Sequence, residues 1–193
     1  HQGIGSLIAV SKEMWITPLG EVEADKAFVD ALPKRLIDMD ETAHQYEHSI
    51  EVQLPFLQFL FSKNFHFVPI SIALTDEDTV REVGDDLANT IAQIDKKVVL
   101  LASSDFTHYE PDRIAREKDG YVIEAIKELD VAKFYKRIYE RNVTACGIAP
   151  IAAMLHAAKQ LGATEGKVVK YATSGDITGD TRAVVGYGGI IIV

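Results

Sequence analysis

The chain has 193 residues, which is enough for one domain with a substantial hydrophobic core. Its 20 basic and 29 acidic side chains give a formal net charge of -9. This charge argues against nucleic acid or an anionic membrane as a main partner, because both require a basic surface. No apolar stretch is long enough to span a bilayer. The single cysteine, Cys146, excludes an internal disulfide and indicates a reducing, cytoplasmic location.

The hydrophobic pattern alternates between the periods of strands and helices along the chain. Strands are predicted at 7–10, 66–73, 97–103, 167–173 and 183–193, and a hairpin or irregular segment at 15–23. Helices are predicted at 25–36, 47–61, 78–94, 111–129, 131–139 and 149–161. Pro55 should kink or reset the second helix. The order predicts an α/β fold, namely a three-layer α/β/α sandwich with a mixed central sheet, and the apolar ending 190–193 should be buried.

The first candidate site follows the apolar run 98–102, which reads as a buried strand and continues into Ser103-Ser104-Asp105-Phe106-Thr107-His108. In open α/β sheets, ligands and catalytic groups collect at the carboxyl ends of strands. Asp105 and His108 can reach one small volume if the loop between them turns tightly. A carboxylate and an imidazole so placed suit metal ligation or acid–base chemistry. Alternatively, Asp105 caps the next element and His108 is a solvated loop residue.

Cys146 lies just before a predicted helix, with Pro150 fitting its first turn. The positive end of a helix dipole favours the thiolate form of a thiol in this position. Gly147 allows the backbone to approach a neighbour or ligand closely. Cys146 is therefore a candidate metal ligand or reactive thiolate, and the alternative is a buried cysteine that fills space.

A third candidate is the run from His44 to Glu51, in which His44, Glu47 and His48 match the H-x-x-E-H pattern of inverted zinc peptidases. On a helix, the two histidines would share one face and bind zinc, and Glu47 would be the general base. However, the predicted helix starts only near Glu47, and a third protein ligand would be needed. In the alternative interpretation, His48 and Glu51 line a cleft or orient another group.

Taken together, these segments resemble the Memo family, which comprises the eukaryotic Memo proteins and their archaeal and bacterial relatives. The resemblance covers the whole chain and depends on four segments in the same order. These segments are 15–20 (WITPLG), 47–55 (EHSIEVQLP), 103–109 (SSDFTHY) and 144–151 (TACGIAPI).

The resemblance implies a fold like that of the class III extradiol dioxygenases, in which two histidines and a carboxylate hold non-haem ferrous iron. In the Memo pocket, a cysteine takes the place of the ligating carboxylate. By resemblance, the metal ligands are His1, Asp105, His108 and Cys146. The same resemblance makes Asp105, His108 and Cys146 the reactive set, and it places Glu47, His48 and Glu51 around the ligands.

Three functions follow from this resemblance and from the motifs. The first is a metal-dependent oxidoreductase or dioxygenase-like protein that uses iron or copper for redox or oxygen chemistry. The second is a non-catalytic module that binds a peptide, a modified side chain or a small molecule in the same pocket, with Trp15 and Tyr109 near its rim. The inverted zinc peptidase ranks third. The fold by itself does not imply ring cleavage, because one fold supports many reactions.

Family association also implies AMMECR1-like and radical-SAM proteins as partners. The family begins with a segment that carries a Pro-His-Ala-Gly-Tyr motif, and this motif is absent from residues 1–193. We therefore expect a single Memo-like domain that lacks its N-terminal strand and helix.

Overall fold

A computed structural model describes residues 4–62, 64–73 and 76–193. Strands and helices alternate along the chain and one sheet is mixed, so the expected α/β class is confirmed. The chain divides into two compact units, His1–Val98 and Val99–Val193. No helix in the described ranges has both the length and the apolar character that a bilayer crossing requires.

The first unit contains a mixed sheet and a hairpin. Its strands are β1 (Ile8–Val10), β2 (Trp15–Thr17), β3 (Gly20–Val22), β4 (Asp38–Met39) and β5 (Ile70–Ile72). Strand β1 lies in the centre of the sheet, parallel to β4 and antiparallel to β5. Strands β2 and β3 form the predicted hairpin, and Gly20 at its turn has a φ of 114°, which favours glycine.

The helices of the first unit are α1 (Lys26–Ala31), α2 (Leu54–Phe61) and α3 (Glu77–Gln93). Asp25 caps α1 by accepting a hydrogen bond from the Phe28 N–H. Helix α1 ends earlier than predicted, because Leu32 precedes Pro33 and takes an extended conformation. Pro55 resets the next helix as expected. A 3₁₀ segment, Glu51–Gln53, comes first, and Pro55 lies in the first turn of α2.

A small hydrophobic cluster holds the hairpin of the first unit against α2. Its buried members are Val22, Ala24, Leu54 and Phe67, and Trp15, Ile50, Leu57 and Phe65 pack around them. The cluster explains why α2 forms although it is only eight residues long, because burial of Leu54 stabilises a helix that would be marginal alone.

The second unit contains an antiparallel sheet and four helices. Its strands are β6 (His108–Glu110), β7 (Gly166–Thr173) and β8 (Val184–Ile192). Its helices are α4 (Asp112–Lys127), α5 (Val131–Arg141), α6 (Ile148–Gln160) and α7 (Gly175–Thr178). Strand β8 is central in the order β6-β8-β7. Helix α4 contacts all three strands, α5 contacts both α4 and α6, and the fully buried side chains include Phe134, Tyr135 and Leu155.

The prediction of a buried strand at 97–103 is wrong. The structure assigns no strand there, and Val99 and Leu101 are 88% and 58% exposed. A strand needs a neighbour that completes its hydrogen-bond ladder, and no strand in the described ranges pairs with this run. The apolar character of the run was therefore not sufficient evidence for burial.

The prediction that 190–193 is buried is also wrong, since Ile191 and Val193 are 54% and 49% exposed. Strand β8 pairs with β7 from Gly186 to Ile192, whereas it pairs with β6 only near its beginning. Side chains of this ending alternate between half-buried and exposed, so one face of the strand is open.

Candidate metal centre

Three potential metal donors lie together in the second unit. One oxygen of Asp105, one ring nitrogen of His108 and the sulfur of Cys146 are all within 4.8 Å of one another. His108 Nε2 lies 3.6 Å from Asp105 Oδ2. Asp105 and His108 are half-buried and Cys146 is exposed, so the cluster is open to solvent on the sulfur side.

The imidazole of His108 is held by Thr144. His108 Nδ1 lies 2.7 Å from the Thr144 carbonyl oxygen, and the His108 backbone N–H donates to Thr144 Oγ1 at 2.8 Å. A carbonyl oxygen can only accept, so Nδ1 carries the hydrogen in this geometry. In the neutral tautomer with this hydrogen, the lone pair is on Nε2, the nitrogen that lies beside Asp105. A histidine with one nitrogen fixed in this way is a typical metal ligand.

Backbone contacts hold Cys146 beside Asp105. The Cys146 N–H donates to the Asp105 carbonyl oxygen at 3.3 Å, and the Asp105 N–H donates to Cys146 Sγ at 3.2 Å. The Gly147 N–H donates to Ser104 Oγ at 2.9 Å. These bonds join the segment before His108 to the start of α6, so the sulfur is held beside the backbone of Asp105.

Gly147 confirms the predicted close approach of the backbone. A Cβ atom there would lie 2.6 Å from both the Ser103 carbonyl oxygen and the Ser104 Cβ, closer than real contacts allow. Gly147 is also the N-cap residue of α6, so Cys146 lies just before the helix, as expected. The glycine therefore permits the contact that brings Cys146 to Asp105.

Two tyrosines lie near the cluster. The ring centroids of His108 and Tyr109 are 5.8 Å apart, and Tyr109 is 79% exposed. Burial, together with the negative charge of Asp105, raises the pKa of Tyr187 above its usual value. Tyr109 was expected near the rim of the pocket, whereas Tyr187 was not predicted, because it lies in no motif that would single it out.

Glu47, His48 and Glu51 lie in the first unit, and their predicted place around the ligands stays a prediction. Glu47 is buried and accepts hydrogen bonds from the backbone N–H groups of Ser49 and Ile50 at 2.8 and 2.9 Å. Glu47 therefore stabilises the turn before α2. His48 and Glu51 are exposed. The remaining predicted ligand, His1, lies outside the described residues.

The helix required by the zinc peptidase interpretation does not form. His44 ends a 3₁₀ segment, Glu41–His44, and a turn follows. His44 is buried and packs edge-on against Trp15, with ring centroids 5.8 Å apart, whereas His48 is exposed. The two histidines therefore do not share one face of a helix, and the only three-donor group in the described ranges is Asp105, His108 and Cys146.

Sequence reasoning missed two residues that support the cluster, Thr144 and Asp119. Thr144 holds His108, and Asp119 binds Thr107, the residue before His108. A signal for Asp119 existed, because it interrupts the apolar face of α4 at a helical spacing from Ala115 and Val122. An acidic residue at such a position indicates a buried polar contact. Thr144 gave no signal, since its contact depends on tertiary structure.

The donor set fits a transition metal. Imidazole and thiolate ligands favour iron, copper and similar ions over magnesium or calcium, which prefer oxygen. The open sulfur side and the fixed Nε2 lone pair are consistent with such an ion.

The fold and the site thus define a class of protein, namely an α/β protein with a solvent-exposed cluster of imidazole, carboxylate and thiol groups. The sequence model of the family described as Memo-like protein matches residues 1–191. The chain belongs to the Memo-like family.

Relatives in methanogenic archaea agree with this assignment. The chain is 50% identical over 192 residues to a MEMO1 family protein of Methanosarcina barkeri, covering all of this chain and 72% of the relative. It is 51% identical over 192 residues to one from Methanococcoides burtonii, with the same coverage. A third, from Methanocaldococcus jannaschii, is 47% identical over 197 residues, which cover all of this chain and 69% of that protein.

Proposed function

We propose that the chain binds iron or copper through Asp105, His108 and Cys146 and serves redox or oxygen chemistry. The observation that carries this proposal is the convergence of the three donor atoms within 4.8 Å. The fixed Nδ1 hydrogen of His108 supports it, because the other nitrogen is then available to a metal. His1 is proposed as a fourth ligand on the family resemblance alone.

Each residue of the cluster has a distinct task in this proposal. His108 supplies a ring nitrogen, Nε2, whose orientation is held by the contact between Nδ1 and Thr144. Asp105 supplies a negative oxygen and uses its backbone N–H to hold the sulfur of Cys146. Cys146 is exposed, so a small molecule can reach this side of the site. The bound metal would supply electron transfer or Lewis-acid chemistry, and its thiolate ligand would make the site sensitive to oxidation.

Anaerobic titration of the protein with Fe²⁺ and with Cu⁺ tests the proposal. We expect Cys146→Ser and His108→Ala each to weaken binding at least about tenfold, since each removes a ligand. His66→Ala is a matched control, because His66 Nε2 also lies 3.6 Å from a carboxylate oxygen, that of Glu23, and no cysteine completes that pair. Absence of metal binding, or equal binding by all variants, would contradict the proposal.

A second proposal is a non-catalytic module that binds a peptide or small molecule at the same place. The 79% exposure of Tyr109 beside His108 favours it, because exposed aromatic side chains are frequent at binding surfaces. Screening a library of short peptides in the presence of a chelator separates the two proposals. Peptide binding that persists without metal and is lost in Tyr109→Ala supports the module.

AMMECR1-like and radical-SAM proteins remain proposed partners, supported by family association alone. Co-expression with tagged candidates and co-purification test this association. A Tyr109→Ala variant shows whether the surface beside the metal centre takes part. A chain that co-purifies with neither candidate would argue against both partners.

A further inference from the structure

We propose that Asp119 is a positioning residue that sets the geometry of the Asp105 and His108 ligands through Thr107. This inference rests on the proposed metal binding and extends it to a residue that touches neither ligand. Asp119 lies on α4 and is fully buried. Its carboxylate accepts hydrogen bonds from three donors. Two of these donors belong to Thr107, which lies in the segment 105–108 that carries two of the ligands, here called the ligand segment.

The contacts of Asp119 are specific. Its Oδ1 accepts from the Thr107 backbone N–H at 3.0 Å and from Thr107 Oγ1 at 2.6 Å. Its Oδ2 accepts from the Tyr171 hydroxyl at 2.5 Å. Hydrogen bonds to an ionised carboxylate are stronger than neutral ones, particularly away from water. Asp119 therefore fixes both the backbone and the side chain of Thr107.

Fixing Thr107 also fixes its neighbours, because the ligand segment does not follow the alternation of a strand. Phe106 and Thr107 are both buried and both pair with the single residue Gly186, whereas Asp105 and His108 on either side are half-buried. In a regular strand, two adjacent residues would point to opposite faces. Here two consecutive buried residues anchor the segment, so Asp105 and His108, which flank them, can both contribute to the metal centre.

Strand β8 is shaped to accept this anchor. A Cβ at Gly186 would lie 2.0 Å from Asp119 Oδ2, and one at Gly188 would lie 2.8 Å from the ring of Phe106. The backbone of Gly186 also pairs with the segment, accepting from the Phe106 N–H and donating to the Thr107 carbonyl oxygen, both at 2.9 Å. The two glycines leave room for the carboxylate and the aromatic ring.

Tyr171 completes the arrangement as a permanent donor. Burial and the hydrogen bond to Asp119 raise the pKa of the Tyr171 hydroxyl far above its usual value, so it keeps its proton. The carboxylate is thus occupied on both oxygens. Thr107 therefore has little freedom to shift, and the ligand segment around it is held in place as well.

The experiment compares four variants in a titration with Co²⁺ alone, which reports affinity and the absorption of the cobalt–thiolate bond. Thr107→Val removes the hydroxyl at nearly constant shape, and Thr107→Ser restores it. Asp119→Asn removes the charge. Asp112→Asn is the control, since Asp112 also lies on α4 but bonds to Arg116 and Thr173 instead.

We expect Thr107→Val and Asp119→Asn to weaken Co²⁺ binding about tenfold and to alter the cobalt spectrum, as is usual when a group that orients a ligand is lost. Thr107→Ser and Asp112→Asn should resemble the wild type. Far-UV circular dichroism checks that each variant folds. If Asp119→Asn does not fold, the comparison of Thr107→Val with Thr107→Ser decides whether Asp119 positions the ligands. Unchanged affinity and spectrum in Thr107→Val would overturn the inference while the metal proposal stands.

A metal-free measurement separates the two proposals. If the wild type binds neither Co²⁺ nor the Fe²⁺ and Cu⁺ of the anaerobic titration, the proposed function fails, and the ¹⁵N ring shifts of His108 decide the role of Asp119. We then expect Nδ1 to carry the hydrogen in the wild type and in Thr107→Ser. Thr107→Val and Asp119→Asn should mix the two tautomers, and identical shifts in all variants would refute the positioning role.

Discussion

At Gly147, the segment that leads to Asp105 comes closest to the start of α6, which follows Cys146. The missing side chain of Gly147 lets Ser103 and Ser104 lie against the start of α6, and this contact carries Cys146 to Asp105. The requirement is steric and does not depend on a positive φ, since Gly147 has a φ of -110°. A methyl group would have to displace a backbone carbonyl, which cannot move as a flexible side chain does.

We therefore predict that Gly147→Ala destabilises the fold by about 1–3 kcal/mol, the usual cost of overpacking. The variant should also weaken metal binding, because the sulfur moves away from Asp105. Urea unfolding and Fe²⁺ titration measure the two effects. Gly120→Ala is the matched control. Its Cβ would meet nothing on the exposed side of α4, so it should stabilise the helix by about 0.5–1 kcal/mol.

Among the elements of the second unit, α5 links the helix that carries Asp119 to the helix that follows Cys146, since it contacts both α4 and α6. Phe134, Tyr135 and Ile138 form its buried face, at a helical spacing. Asp130 caps its N-terminus by accepting from the Lys133 N–H at 2.9 Å. The position of α6, and with it the position of Cys146, depends on this helix.

Loss of the Asp130 cap should lower stability without changing the metal ligands. We expect Asp130→Ala to reduce the free energy of unfolding by about 1 kcal/mol, because one N–H group of the first turn loses its partner. Asp130→Ser, which keeps a capping oxygen, should remain close to the wild type. Thermal or urea unfolding measures the difference. Equal losses in both variants would show that the cap is not the cause.

At the scale of the whole molecule, His44 and Tyr171 contribute to the pH dependence of stability, because folding shifts the pKa of each. Burial lowers the pKa of His44 below 6.5, against the opposing effect of Glu41 and Glu47. The unfolded chain therefore binds a proton more readily than the folded chain at mildly acidic pH. The contribution of His44 to the free energy of unfolding is fully present above the pKa of this group in the unfolded chain. It is lost as the pH falls below 6.5.

We predict that thermal stability declines between pH 7.5 and 5 and that His44→Phe, which keeps an aromatic ring beside Trp15, makes the decline shallower. Melting temperatures measured across this range check it. His66→Phe serves as the comparison, because it removes an exposed histidine in place of a buried one. A wild-type slope that His44→Phe leaves intact would contradict the assignment.

Tyr171 contributes to stability on the alkaline side. The pKa of Tyr171 is raised in the folded state by burial and by its bond to Asp119, so the unfolded chain loses this proton first. The contribution of Tyr171 is complete below its unfolded pKa of about 10 and is lost as the pH rises above that value. We expect Tyr171→Phe to be less stable at neutral pH and to show a flatter decline above pH 10. Unfolding curves together with tyrosinate absorbance measure both.

The sequence by itself determined the α/β class, the family and most of the helices. Helical periodicity and caps are local, so α3, α4, α5 and α6 begin and end within a few residues of their predicted bounds. The candidate ligands Asp105, His108 and Cys146 were also named from local features, a polar turn after an apolar run and a thiol before a helix. The close approach at Gly147 followed from the same segment.

Only the tertiary structure decided which groups meet and which strands have partners. Pairing between distant segments left 97–103 without a strand and 190–193 half-exposed, although both are apolar. It also separated buried His44 from exposed His48, and it joined His108 to Thr144 and Thr107 to Asp119. The physical reason is that a side chain's type limits which contacts it can make, whereas hydrogen bonds and burial depend on neighbours that are distant in sequence.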